Sequence, residues 1–374
     1  MTCGRRWRRR GCATSSGWRA DCHRGTAPRP PPREGNTKVK SQIPLSRRRS
    51  LLQAAAAALL PAPFLGRTAR AASAWPKDRP VRVIVPFTPG GSTDILARAI
   101  SQRLTEELGQ TFVVENRGGA GGTVGSELVA RAPADGYTLM MGHIGTLAVN
   151  PSLYSNLTFD TVTSFQPIVL VATVPNILVV NPKVAEVKDV ASLIRLAKEK
   201  PGSLTYGSGG NGSAAHIAMV AFNTAAGIEM THVPYKGTGP MMNDLISGQI
   251  NLTMTGGPPI LPPVRAGQVR ALGVSSLQRL TSAPEIPTIA EAGLPGFDAV
   301  QWYGVVGPAG MPRDIVEQLN TTSIRILQEP ALKARLEAEG ALFSPGTPED
   351  FARLIASERT RWGDLIRKAN VQAD

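Results

Sequence analysis

The stretch Val81-Arg82-Val83-Ile84-Val85-Pro86-Phe87-Thr88-Pro89-Gly90-Gly91-Ser92-Thr93-Asp94 decides the architecture. Its first seven residues form a short β-branched run and Pro89-Gly90-Gly91 is a turn, after which Ile95, Leu96, Ala99, Ile100 and Leu104 follow at helical spacing. A strand, a glycine turn and a helix in immediate succession open an α/β unit. The unit recurs as a strand at 111–115, a glycine loop at 118–125, a helix at 126–132 and a strand at 137–141. A second series has strands at 177–180, 204–207, 230–234, 250–255 and 269–275, with helices at 189–200, 213–226 and 239–247. Short turns between such units predict mainly parallel sheets with right-handed crossovers.

The stretches 312–328, 331–339 and 348–368 read as helices with little strand left to pack on, so they are expected to cover the first series. That makes an α/β chain of two lobes, each a mainly parallel sheet flanked by helices. One lobe is 75–172 with 300–374, and the other is 173–299. The chain crosses between them twice, near 172–174 and 299–301. Two crossings make a hinge, whereas one makes a tether.

The net charge of +13 suggests a nucleic-acid or membrane-surface partner until its position is considered. Residues 1–74 hold 16 of the 41 Lys and Arg and only Asp21 and Glu34 among the 28 acids, which leaves 25 bases against 26 acids in the body. A near-neutral body has no footprint for a phosphate backbone, so no nucleic acid is expected. Cys3, Cys12 and Cys22 all precede residue 75, and a cysteine-free body suits an oxidising compartment.

Ser46-Arg47-Arg48-Arg49-Ser50-Leu51-Leu52 resembles a twin-arginine export signal. The apolar run behind it is far short of the about 20 residues a membrane span needs. Two A-x-A sites close it, and cleavage is expected before Trp75. Residues 1–38 fit no signal architecture, and translation is expected to begin after them. The leader thus points to a periplasmic protein.

Gly207-Ser208-Gly209-Gly210-Asn211-Gly212 matches the dinucleotide fingerprint G-x-G-x-x-G between a strand and a helix. The rest of that fingerprint fails: His232-Val233-Pro234-Tyr235-Lys236 has no acid at the next strand end for a ribose hydroxyl. An NAD-dependent oxidoreductase is the alternative this turn leaves open. What the turn retains is general. Glycines admit a ligand to the backbone, and the N–H groups of a helix start attract an anion. The 86–94 turn has the same make-up, with Ser92 or Thr93 available as a cap. Neither turn carries Lys or Arg.

Catalytic signatures are missing. The glycine turns have no Walker lysine and no G-x-S-x-G, and His143, His216 and His232 lack metal-ligand spacing. No enzyme, metal or cofactor is expected. His216, one turn into its helix, and His143, after the third strand, are placed to line a cleft, whereas His232 reads as packing.

Pro86-Phe87 with Gly90-Gly91 and Asp94, Val114-Glu115-Asn116-Arg117 with Gly119-Ala120-Gly121-Gly122, and Asp135-Gly136-Tyr137-Thr138-Leu139 resemble the Bug family of periplasmic binding proteins. So do Tyr206-Gly207-Ser208, Val233-Pro234-Tyr235-Lys236-Gly237, Asp244-Leu245 with Gly248-Gln249, and Pro287-Thr288-Ile289-Ala290-Glu291-Ala292-Gly293. These are receptors of tripartite tricarboxylate transporters. The resemblance implies a Venus-flytrap (type II) fold without cofactor, closing on a small carboxylate as a monomer and serving membrane subunits; a binding protein feeding a sensor kinase is the variant reading.

It carries ligand contacts onto Phe87, Gly90, Gly91, Ser92 and Asp94 of the first loop, and onto Ser208, Gly209, Gly212, Ser213 and His216 of the second. His143, Gly145 and Thr146 form a third wall. Here the chain departs from the family, which commonly has small hydroxyl residues where His143 and Ile144 stand. Gly118 replaces a common proline, and Thr255-Gly256-Gly257-Pro258-Pro259 is unusually rich in Gly and Pro.

Overall fold

The computed structural model describes residues 75–371, so the leader and its cleavage site lie outside the described residues. From the amino-terminal side the chain forms β1 (Val81–Val85), α1 (Ser92–Leu108), β2 (Phe112–Asn116), α2 (Thr123–Ala130), β3 (Thr138–His143), α3 (Asn150–Leu153) and β4 (Phe165–Val174). It continues through β5 (Asn176–Val180), α4 (Val190–Glu199), β6 (Thr205–Ser208), α5 (Ala214–Ala226), β7 (Thr231–Pro234), α6 (Thr238–Ser247), β8 (Leu252–Gly256), α7 (Gly257–Arg265) and β9 (Arg270–Val274). It ends with β10 (Gln301–Pro308), α8 (Arg313–Leu327), α9 (Pro330–Glu337) and α10 (Pro348–Lys368).

Two five-stranded sheets result, ordered β2-β1-β3-β10-β4 and β7-β6-β8-β5-β9. The two-lobed α/β fold is as the strand–helix alternation requires. The pairing differs from the mainly parallel expectation, because each sheet is half parallel and half antiparallel. β1 runs parallel to β2 and β3, with Val83 opposite both Val114 and Leu139. β10 runs antiparallel to β3 and β4, with Val305 opposite Met141 and Val169. In the second sheet β6 is parallel to β7 and β8, while β5 is antiparallel to β8 and β9. The antiparallel members are the strands that enter a sheet from the other lobe, and no crossover helix dictates their direction. β4 passes into β5 through Pro175 alone, and the chain returns at β10.

β1 and β6 hold the same place in the two sheet orders, so α1 and α5 start at corresponding points of the two lobes. α8 packs on α1 and β4, and α10 packs on β4 and α3. The strand both helices pack on is β4, and its neighbour β10 is buried at all eight residues. Glu358 on α10 accepts hydrogen bonds from the indoles of Trp302 (3.2 Å) and Trp362 (2.7 Å), fixing that helix to β10.

α7 forms where Pro258, Pro259, Pro262 and Pro263 argue against a helix. The first two fall in the opening turn, where a missing N–H costs nothing. Ile260 and Leu261 are buried, and packing on β5, β8 and α1 holds the remainder.

Candidate functional site

The starts of α1 and α5 face one chamber. Phe87, Thr88, Gly91, Ser92 and Thr93 line it from one lobe, and Gly209, Ser213, Ala214, Ala215, Thr238 and Thr255 from the other. His143, Gln301 and Tyr303 complete the wall of this narrow chamber.

The chemistry of this chamber is that of unpaired donors. Ser92 and Thr93 are the first two residues of α1, and Ala214 and Ala215 are the first two of α5. N–H groups at those positions have no intrahelical carbonyl to bond. Among the described residues no other acceptor takes them. The third amide of each helix is already used: Asp94 N bonds the Gly91 carbonyl at 3.0 Å, and His216 N bonds Ser213 Oγ at 3.3 Å. α1 is capped by Gly91 without any side-chain cap, so neither Ser92 nor Thr93 fills the capping role expected of them. The Ser92 hydroxyl is buried with no hydrogen bond, as is Thr88 Oγ1. Ser92 lies close enough to the Tyr303 hydroxyl to influence its ionisation.

His143 is 3 % exposed, with its ring stacked on Phe87 at 4.6 Å and edge-on to Tyr303 at 5.9 Å. Its Nδ1 accepts the amides of Gly145 (2.6 Å) and Thr146 (3.3 Å). The ring proton therefore sits on Nε2. Burial pushes the histidine down to about 4, so the ring is neutral near pH 7. No Asp, Glu, Lys or Arg lines the chamber.

Of the residues picked out from sequence, Phe87, Gly91, Ser92, His143, Gly209 and Ser213 line the chamber. The others stand behind it. Asp94 is raised by burial, but hydrogen bonds from Arg98, Asn116 and the Gly90 amide outweigh this and hold it below the usual carboxylate range. Its carboxylate, with the Gly90 amide at 3.1 Å and Asn116 Nδ2 at 2.9 Å, locks the first loop. Gly145 and Thr146 serve His143, as above.

Ser208 Oγ bonds the Gly210 amide (3.1 Å) and His232 Nε2 (2.7 Å), and the Gly212 amide donates to His216 Nδ1 at 3.1 Å. His216 stacks on His232 at 4.2 Å, and the half-buried His232 stacks on Tyr206 at 4.9 Å, a ring column under the second loop. His232 is thus the packing residue its strand position suggested, with burial pushing it down to about 4.

Thr88, Thr93, Ala214, Ala215, Thr238, Thr255, Gln301 and Tyr303 escaped the sequence reading. Thr88 and Thr93 lie within the 86–94 turn itself, and Ala214 and Ala215 follow from extending the second turn by one helical turn. Gln301 and Tyr303 carry no local signal, because their role comes from a contact across 125 residues of chain. Gln301 Nε2 donates to Asn176 Oδ1 at 2.5 Å, and the Tyr303 hydroxyl donates to Gln301 Oε1. Asn176 donates from Nδ2 to the Ala299 carbonyl at 2.6 Å and from its amide to Ser275 Oγ at 2.9 Å. This buried network ties together the two crossings between lobes.

Glycine backbone meets the opposite lobe closely along the seam beside the chamber. A Cβ on Gly91 would lie 3.0 Å from Thr238 Oγ1, and one on Gly237 would overlap Thr88 Oγ1. A Cβ on Gly121 would overlap the Asn211 carbonyl, whose oxygen accepts the Tyr154 hydroxyl at 3.0 Å. The G-x-G-x-x-G turn is therefore covered by the opposite lobe at Asn211. Among the described residues no group of three His, Cys, Asp or Glu is placed to hold a metal, and no helix is long and apolar enough to cross a membrane.

The profile of the tripartite tricarboxylate transporter family receptor, TctC, matches residues 96–371. The chain belongs to this family. BugT of Bordetella pertussis is 37% identical to this receptor over 295 residues, covering 79% of this chain and 90% of BugT. Rpa4515 of R. palustris, solved with adipate, is 40% identical with a TM-score of 0.77, over 80% of this chain and all of that one. MatC of Rhodopseudomonas palustris, solved with bound malate, is 33% identical with a TM-score of 0.74, over 78% of this chain and 99% of MatC. The structure of the periplasmic binding protein BugD is 34% identical with a TM-score of 0.76. The family and these neighbours are solute-binding proteins, and such a role is the one this receptor shares.

Proposed function

We propose that the chain is an extracytoplasmic receptor that captures a small carboxylate in the chamber between its lobes and delivers it to the membrane subunits of a tripartite tricarboxylate transporter. The observation that carries this reading is the convergence of four unbonded first-turn amides, two from α1 and two from α5, on one uncharged chamber. Each helix start presents roughly half a positive charge. An anion held between them is bound by both lobes at once, which is what closes a hinge on its ligand.

The first contact set comprises the amides of Ser92, Thr93, Ala214 and Ala215, with Gly91 and Gly209 admitting the ligand to the backbone. Phe87, Thr88, His143, Ser213 and Thr238 form the surrounding wall. Gly90, Asp94, Gly145, Thr146, Ser208, Gly212 and His216 support it from behind. The moving bodies are 75–172 with 300–374, and 173–299, hinged at the Asn176–Gln301 network. The protein acts in the periplasm as a monomer without cofactor or catalysis, exported by its twin-arginine-like leader. Adipate and malate in the related proteins support the carboxylate class.

Thermal unfolding of the ligand-free protein against citrate, dicarboxylates, acidic amino acids and aromatic acids tests this. A bound acid raises the melting temperature by mass action, about 2.7 kcal/mol of stabilisation at one hundred times Kd. A panel in which no acid shifts the transition counts against the proposal.

A further inference from the structure

We infer that the chamber takes carboxylates that bear no ammonium group, and that His143 is the residue enforcing this by offering a fixed donor where such a ligand must present an acceptor. This rests on the receptor reading above and narrows its ligand class.

The polarity of the lining points one way. Ser92, Thr93, Ala214 and Ala215 supply amide donors at the positive ends of two helices. A ligand ammonium would face both ends at close range. It would also need acceptors, preferably charged ones, and no carboxylate lines the chamber. The nearest acid in sequence, Asp94, is held by Arg98, Asn116 and the Gly90 amide. The Tyr303 hydroxyl is oriented toward Gln301 Oε1, and the Gln301 amide nitrogen is bound to Asn176, so these two groups are committed to the hinge network.

Thr88, Ser92 and the other wall hydroxyls can turn either way, so His143 supplies the contact whose sign is fixed. Two amides on Nδ1 confine the proton to Nε2, and the Phe87 and Tyr303 rings fix the imidazole plane. Among the described residues no hydrogen bond engages Nε2. A flippable amide side chain or a hydroxyl offers either a donor or an acceptor. A histidine locked in this tautomer offers only a donor, and a donor opposite an ammonium leaves both groups unpaired in a buried site. The Ser92 hydroxyl, 4 % exposed and unbonded, adds a second group to be satisfied by the ligand.

The test is calorimetric titration of the purified protein with matched pairs differing at one carbon: L-malate against L-aspartate, glutarate against L-glutamate, and 3-phenylpropanoate against L-phenylalanine. The expected result is that, in the pair whose skeleton fits, the ammonium-free acid binds at least tenfold more tightly. In His143→Gln, whose amide can turn either face to the ligand, that ratio is expected to shrink at least threefold. Aspartate, glutamate or phenylalanine binding as tightly as its partner overturns the inference and leaves the carboxylate receptor standing. Binding by none of the six acids nor by adipate overturns both readings together. An unchanged ratio in folded His143→Gln removes His143 from the role.

Discussion

Gly237→Ala isolates the closing contact between the lobes. Gly237 has φ 161° and ψ 176°, extended backbone that alanine adopts freely, so the substitution carries no local strain. Its effect comes from across the seam. The added Cβ would overlap Thr88 Oγ1 and sit 3.0 Å from both the Cβ and the amide nitrogen of Thr88. Thr88 belongs to the first-lobe loop and Gly237 to the second, so the clash exists only while the lobes are together. Overpacking by one methyl in a close-packed site costs about 1–3 kcal/mol. Charged to the closed form alone, that raises the apparent Kd by about 5- to 150-fold. The ligand-free melting temperature is expected to stay near that of the wild type.

Calorimetry with the tightest acid from the panel measures the loss, and small-angle scattering with saturating ligand reports whether compaction is lost with it. Thr88→Gly in the Gly237→Ala background removes the obstacle and is expected to recover most of the affinity. Thr88→Gly alone serves as control for the hydroxyl lost from the chamber wall, so the pair forms a double-mutant cycle. Wild-type affinity in Gly237→Ala refutes the argument. So does a double variant as weak as Gly237→Ala when Thr88→Gly by itself is neutral.

Two other outcomes follow from the same geometry. Gly209→Val and Gly91→Val place side chains over the helix starts, the second against Thr238 Oγ1 at 3.0 Å. Each is expected to weaken binding at least tenfold, about 1.4 kcal/mol, with circular dichroism unchanged, and full affinity in both would put the site elsewhere. The second outcome concerns acid. Burial holds His143 at about 4 against 6.5 when unfolded, so the unfolded chain takes up the proton first as pH falls. The penalty is absent above pH 6.5 and grows toward pH 4. For His143 it reaches about 2–3 kcal/mol between pH 7 and 4.5. Denaturant titrations at those two pH values measure the slope. His143→Phe is expected to flatten it by that share, and an unaltered slope would show that the histidine is not kept neutral by burial.

Much of the fold is visible in the chain because the local signals agree. In 81–108 a β-branched run, a glycine turn and a helical period coincide, and β1 and α1 stand there. β4 and β10 were invisible for a physical reason. Gln301–Pro308 is buried on both sides, so it shows no alternation, and Gly304, Gly307 and Pro308 interrupt its propensity. The antiparallel half of the first sheet follows from these two strands; in the second sheet β5 was visible at 177–180, but its reversed direction was not. α7 was hidden by its prolines, which tertiary packing overrode.

The site was half legible. Sequence spacing locates a glycine turn before a helix, but it does not distinguish an amide open to a ligand from one already bonded within the loop. For that reason Gly91 and Gly209 line the chamber, while Gly145 and Gly212 have their amides on imidazoles. The Asn176–Gln301 pairing was beyond reach because it joins chain segments that only the finished topology brings together.

The glycine seam separates two properties that are usually entangled. Where glycine backbone closes against Thr88, Thr238 and Asn211, the work of shutting is set mainly by that packing and only in small part by the solute inside. Selectivity can then be rewritten by exchanging a few wall residues, His143 foremost, without retuning the jaw that swings over them.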